Sequence, residues 1–147
     1  MRRHTAIWMV GALLTGGLLG VAPATAGGSC TQVGTNEADA LRGTNGPDIL
    51  CGRDGSDRLT GGRSDDRLRG EGGRDLLIGG PGGDVLKGGA EGDTLIGGPG
   101  EDRLSGGVGA DVIDAKGGGA DIVRGGGGRD VCYADRRDLV RGCEETA

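Results

Sequence analysis

Aspartates stand at positions 39, 48, 57, 66, 75, 84, 93, 102 and 111, nine residues apart without error, and continue at Asp121 and Asp130. Carboxylates are hard oxygen donors. A chain that coils in step with this period would bring them into lines, where like charges oppose folding until a cation cancels them. Cation binding is therefore the chemistry the spacing favours. Most hydrolytic chemistry is closed, because the one histidine, His4, lies in an N-terminal segment read below as removed. The usual general base, the Ser-His and Cys-His pairs and every His-ligated zinc site go with it.

The elements that must position these carboxylates follow the same period. Two residues after each aspartate comes an aliphatic side chain: Leu41, Leu50, Leu59, Leu68, Leu77, Leu86, Leu95, Leu104, Ile113 and Val123, with Cys132 closing the series. Glycines fill the interval before each aspartate. Two clear copies are Gly79-Gly80-Pro81-Gly82-Gly83-Asp84-Val85-Leu86-Lys87 and Gly97-Gly98-Pro99-Gly100-Glu101-Asp102-Arg103-Leu104-Ser105. Such a unit reads as a glycine-rich turn of six residues and a strand of three. Two units make one coil of 18 residues, with strands about 4.8 Å apart in two parallel sheets. The middle strand residue points inward, so the leucine ladder is the core. With 37 glycines, one tyrosine, one tryptophan and no phenylalanine, an aromatic-filled core is excluded. A flexible glycine-rich linker has no reason to keep leucines in phase, and collagen would need glycine at every third position.

The pattern G-G-x-G-x-D-x-U-x resembles the nonapeptide of the hemolysin-type, or repeats-in-toxin, calcium-binding proteins, over residues 43–133. The resemblance implies an all-β, right-handed parallel β-roll (β-solenoid) of about ten nonapeptide repeats in two stacked parallel sheets. It also implies Ca²⁺ as cofactor, each ion held between one turn and the turn two repeats later. The aspartate pairs are then 48 with 66, 57 with 75, 66 with 84, 75 with 93, 84 with 102 and 93 with 111. The metal ligands it implies are Asp48, Asp57, Asp66, Asp75, Asp84, Asp93, Asp102, Asp111, Asp121 and Asp130. Backbone carbonyls of Gly46, Gly55, Gly73, Gly80, Gly82, Gly89, Gly98, Gly100, Gly107 and Gly109 complete the set. Calcium accepts six to eight such oxygens, and glycine turns can aim carbonyls at it without side-chain clashes. Ser64 and Glu91 replace the glycine expected at the fourth turn position, and one extra residue lies between Asp114 and Asp121. Sites using those turns are discounted, leaving about four to six good ones near Asp48, Asp57, Asp75, Asp84, Asp93 and Asp102.

Residues 1–26 carry Arg2 and Arg3, an apolar run and Ala24-Thr25-Ala26, and read as a cleaved export signal. The remaining organisation is an N-terminal cap with a divergent first repeat (27–42), the calcium-binding roll (43–133) and a C-terminal cap (134–147). Cleavage leaves 15 basic against 22 acidic residues, a formal charge of −7. The cysteines lie only at the ends. Four permit three pairings, but a bond joining the two ends would have to cross about five coils, far beyond disulfide reach. Cys30 with Cys51 and Cys132 with Cys143 is the expected pairing, and an export signal supplies the oxidising compartment.

Odd and even repeats fall on opposite sheets, which sorts the outward residues. One face collects Arg67, Arg69, Lys87, Arg103 and Arg124, and the other Leu76, Ile78, Ile96, Val112 and Val131. The apolar face is a candidate for self-association or for a surface partner. No membrane span remains in the mature chain, and a nucleic-acid partner is disfavoured by its negative charge. The expected function is that of a secreted, extracellular, non-enzymatic calcium-binding module that folds on meeting calcium. The alternative is a structural or adhesive surface protein that uses a face of the calcium-stapled roll. Rolls of this family often accompany proteases or lipases, but no His-Glu-x-x-His run is present. Toxins of the family leave through an exporter that reads a C-terminal signal, whereas this chain carries an N-terminal one, so toxin activity is not carried over.

Overall fold

A computed structural model describes residues 29–146; the export signal read at 1–26 lies outside the described residues. The chain forms fourteen strands: β1 (Gln32–Val33), β2 (Ala40–Arg42), β3 (Ile49–Asp54), β4 (Arg58–Thr60), β5 (Arg67–Gly72), β6 (Leu76–Ile78), β7 (Val85–Ala90), β8 (Thr94–Ile96), β9 (Arg103–Val108), β10 (Val112–Asp114), β11 (Ile122–Gly127), β12 (Val131–Tyr133), β13 (Leu139–Arg141) and β14 (Glu145–Thr146). Odd strands make one seven-stranded sheet and even strands the other. Every neighbouring pair is parallel, as winding with two strands per coil requires. This is the expected parallel β-roll. Eleven strands, β2 to β12, carry the ladder from Leu41 to Cys132, and three more stack at the ends: β1, which keeps the nine-residue phase without its aspartate and aliphatic residue, and β13 and β14, which leave that phase.

The register places like on like. Leu50, Leu68, Leu86, Leu104, Val123 and Val140 align across the odd sheet, and Leu41, Leu59, Leu77, Leu95, Ile113 and Cys132 across the even one. From Leu41 to Cys132 these ladder residues are at most 2% exposed, and they pack into one cluster. The core is one aliphatic side chain deep from each sheet, so each coil depends on its neighbours for burial.

The two sheets differ in a way that uniform three-residue strands would not produce. From β3 to β11, strands of the odd sheet run for six residues, whereas those of the even sheet from β2 to β12 run for three. On the edge where odd strands lead into even ones, pairing continues through the turn, with Arg53 opposite Glu71 and Gly89 opposite Gly107. On the other edge, Pro81 and Pro99 occupy the third turn position. Proline has no N–H to give a neighbouring strand, and the Gly82 N–H reaches the Pro99 carbonyl instead, at 3.0 Å; the turns at 43–48 and 61–66 interrupt the strands in the same place without a proline at that position.

Disulfides close both ends. Cys30–Cys51 ties the residues ahead of β1 to β3, and Cys132–Cys143 ties β12 to the residues after β13, with Cα separations of 5.9 and 6.0 Å. Among the described residues no helix is long and apolar enough to cross a membrane.

Candidate metal centre

Each turn ends in its aspartate, whose side chain folds back beneath the turn. The ten turn-ending aspartates from Asp48 to Asp130 are all buried, none more than 7% exposed. The backbone N–H of each donates to Oδ1 of the aspartate one coil further on. The distances are 2.8 Å for Asp48 to Asp66, 2.8 Å for Asp57 to Asp75, 2.7 Å for Asp66 to Asp84, 2.9 Å for Asp75 to Asp93, 2.7 Å for Asp84 to Asp102 and 2.8 Å for Asp93 to Asp111. Every aspartate pair expected from the resemblance is thus brought together. The ladder also passes the extra residue before Asp121: Asp102 donates to Asp121 at 2.7 Å and Asp111 to Asp130 at 3.0 Å. Gly117, at φ +91° with no neighbour near its missing Cβ, takes up the insertion outside the stack.

The second carboxylate oxygen has the opposite fate. Oδ2 of Asp57, Asp66, Asp75, Asp84, Asp93, Asp102, Asp111, Asp121 and Asp130 is buried and accepts no hydrogen bond from the protein. Asp48 differs, because its Oδ2 accepts from the Thr44 N–H at 2.6 Å and the Thr44 hydroxyl at 2.9 Å. Thr35 caps Asp39 in the same way. The first turn on each edge is therefore satisfied by its own threonine.

Around each orphaned oxygen other acceptors gather. A Cβ on Gly79 would collide with Asp84 Oδ2 and lie 2.7 Å from the Gly97 carbonyl oxygen; one on Gly61 would meet Asp66 Oδ2 and, at 2.8 Å, the Gly79 carbonyl. Of the glycines whose carbonyls were expected to serve, Gly55, Gly73, Gly80, Gly82, Gly89, Gly98, Gly100, Gly107 and Gly109 adopt positive φ, whereas Gly46 does not. The carbonyls of Gly55, Gly80, Gly82, Gly89, Gly107 and Gly109 point at the glycine one coil on, Gly80 oxygen lying 2.6 Å from the Cβ site of Gly98. Four non-glycine residues are forced into the same left-handed region: Ser64 and Glu91 at the fourth position, and Arg53 and Glu71 at the second. The second-position pair departs from the G-G opening of the repeat, a signal already present in the sequence.

Electrostatics follows from burial. Desolvation, with a smaller repulsion between successive carboxylates, raises Asp84 and Asp93 to about 7 and Asp75 and Asp102 to about 6. Asp57, Asp66, Asp111 and Asp121 shift the same way, again chiefly through burial. The hydrogen bond each receives from the preceding aspartate's N–H opposes the shift without cancelling it.

Two residues outside the expected set terminate the ladders. Asp121 donates to Asp138 Oδ1 at 3.0 Å and Asp130 to Glu144 Oε2 at 2.5 Å. The sequence held a signal for the first, since Asp138-Leu139-Val140 repeats the D-x-U pattern eight residues after Asp130. Glu144 has no such signal, and only the winding of the chain puts it under Asp130.

The donor set is oxygen alone, two carboxylates per gap and carbonyls around them. Among the described residues no three acidic, cysteine or histidine side chains converge on one point. An ion here must take most of its ligands from the backbone, which suits a large hard cation with a flexible shell and does not suit zinc. A family model of the RTX calcium-binding nonapeptide repeat matches four times, over residues 33–68, 52–86, 87–118 and 117–136. The chain belongs to the RTX calcium-binding repeat family. No significant match is found among curated proteins or among solved structures. As an RTX repeat protein the chain is a calcium-binding protein by family, and its buried, unpartnered Oδ2 atoms fit the ion that the family binds.

Proposed function

We propose that this is a secreted, non-enzymatic calcium-binding module whose roll is folded by the ions it binds. The observation that carries the reading is the row of nine aspartate Oδ2 atoms, buried, aimed between coils and without a hydrogen-bond donor. An uncompensated buried carboxylate opposes folding strongly, and a divalent cation between two of them removes that opposition. The residues that would hold calcium are Asp57, Asp66, Asp75, Asp84, Asp93, Asp102, Asp111, Asp121 and Asp130, with glycine carbonyls of the facing turns. Asp48, already satisfied by Thr44, would contribute through its place in the ladder. When bound, the ion supplies positive charge to oxygens that otherwise face only one another.

Extracellular calcium modules bind at about 10⁻⁴ to 10⁻³ M. About a tenfold excess of calcium contributes roughly 1.4 kcal/mol per site, so several sites acting together suffice to fold a thin-cored solenoid. Secretion is supported by the export-type segment at 1–26 and by two disulfides, which persist in oxidising compartments. The non-enzymatic part rests on the side-chain inventory: beyond His4 the chain has no histidine, and its ten buried aspartates are taken up by the ladder.

The test is far-ultraviolet circular dichroism of residues 27–147 with disulfides intact, in EDTA and across a calcium titration to about 10 mM, with magnesium as control. A cooperative gain of β signal with calcium alone supports the reading. A spectrum that ignores calcium overturns it.

A further inference from the structure

The odd sheet carries a charge pattern that calcium binding does not use. Across β3, β5, β7, β9, β11 and β13 the register aligns two outward rows. They present Arg67, Arg69, Lys87, Arg103, Arg124 and Arg141, all exposed, and the three-residue core segments of these strands contain no acidic residue. Six cations thus share one face of a chain whose net charge is −5. From β5 to β13, strands about 4.8 Å apart turn the rows into a ladder of positive charge roughly 19 Å long, parallel to the roll axis.

The ladder has a seat in it. Where Ser105 replaces the long side chains of its row, a depression of about 180 Å³ opens, bounded by Lys87, Arg103 and Arg124, with Val85 and Ile122 beside it. Three cations and a hydroxyl around a shallow, partly apolar seat suit an anionic group carried on a ring.

We propose that the outer face of the odd sheet binds a linear anionic polysaccharide, laid along the roll axis over the cation rows. The shape of the charge selects this partner. The stripe is flanked by exposed acidic residues of the turns, Asp54, Glu71 and Glu91 on one edge and Asp65 and Glu101 on the other, so a flat anionic membrane would meet repulsion on either side, whereas a single chain lies between the edges. The face carries no aromatic side chain, and single-stranded nucleic acid would find no platform for its bases. Arginine forks match carboxylate and sulfate groups, and repeated contacts along one polymer add through effective concentration.

The experiment uses residues 27–147 in millimolar calcium and fluorescein-labelled chondroitin sulfate, with binding read by anisotropy at several salt concentrations. Neutral dextran, a single-stranded oligonucleotide and phosphatidylglycerol-containing vesicles are the comparison ligands. The variant combines Arg69→Ser, Lys87→Ser and Arg124→Ser, since Ser105 shows that serine is accommodated in this row. Its fold is checked by the calcium-dependent circular dichroism signal, read separately so that failure of the calcium reading is not mistaken for failure of this one. Expected are saturable, salt-sensitive binding of chondroitin sulfate, a loss of about tenfold or more in the variant, and no loss in Arg58→Ser on the even sheet. Equal binding by the variant, equal binding of dextran, or tighter binding of the oligonucleotide or the vesicles would overturn the proposal.

Discussion

The backbone N–H of Asp84 donates to Oδ1 of Asp102 at 2.7 Å, while Oδ2 of Asp102 is buried with no donor at all. One carboxylate is therefore divided between two tasks. Oδ1 holds the coils in register, and Oδ2 is left without a protein partner.

That division predicts the behaviour of an amide. Asp84→Asn keeps an acceptor for the Asp66 N–H, removes a charge, and offers an N–H₂ to the facing carbonyls. The β signal in EDTA is expected to rise, while the calcium midpoint weakens by about tenfold, the loss of one carboxylate ligand at about 1.4 kcal/mol. Asp84→Ala, which also orphans the Asp66 N–H, is expected to lose stability in both conditions. Calcium titrations of both variants by circular dichroism separate the two roles.

The raised carboxylates set a pH dependence with opposite signs in the two states. In the folded chain Asp84 and Asp93 lie near 7 and Asp75 and Asp102 near 6, against 3.8 when exposed. The folded state therefore binds more protons than the unfolded one, and the stability this confers is full below about 4 and lost as pH rises through about 7. In EDTA the β signal is expected to grow on acidification from pH 8 to about 4.5. With calcium at its midpoint the same acidification is expected to reduce binding, because protons compete for the same oxygens. A pH series with and without calcium that fails to cross over would contradict this.

Two glycines separate crowding from conformational freedom. Gly79→Ala would drive a methyl group into Asp84 Oδ2 and the Gly97 carbonyl, and is expected to destabilise the calcium-loaded roll by about 3 kcal/mol or to prevent its folding. Gly127, in β11, has nothing within 4 Å of its missing Cβ and no positive φ, so Gly127→Ala should fall within about 0.5 kcal/mol of the parent. Thermal melts in calcium make the comparison.

Glu71 is held at φ +82° in a turn where its neighbour one coil on, Gly89, adopts the same region without a side chain. Glu71→Gly is expected to stabilise the calcium-loaded roll by about 1 kcal/mol by removing the left-handed penalty. A urea midpoint that does not rise would show that Glu71 is compensated elsewhere.

Much of this architecture was legible before folding. The aspartate period, the D-x-U ladder and the glycine turns are one-dimensional features, and one winding rule turns them into two parallel sheets and the pairs from 48 with 66 to 93 with 111. The disulfides followed because cysteines confined to the two ends of a solenoid can only bridge locally. Less legible were the strand lengths, and the end of the ladder at Asp138, whose D-x-U pattern comes one residue early.

The sequence by itself determined the repeat, the inward leucines, the metal class and the sorting of charge between faces, because each depends only on period and residue type. The tertiary structure alone decided which oxygen of each aspartate is free, that Thr44 satisfies Asp48, that the ladder passes the insertion before Asp121, and that Glu144 closes it beneath Asp130. These depend on distances between atoms one coil apart, and a coil can absorb or lose a residue in its turn without changing the stacking that sets those distances.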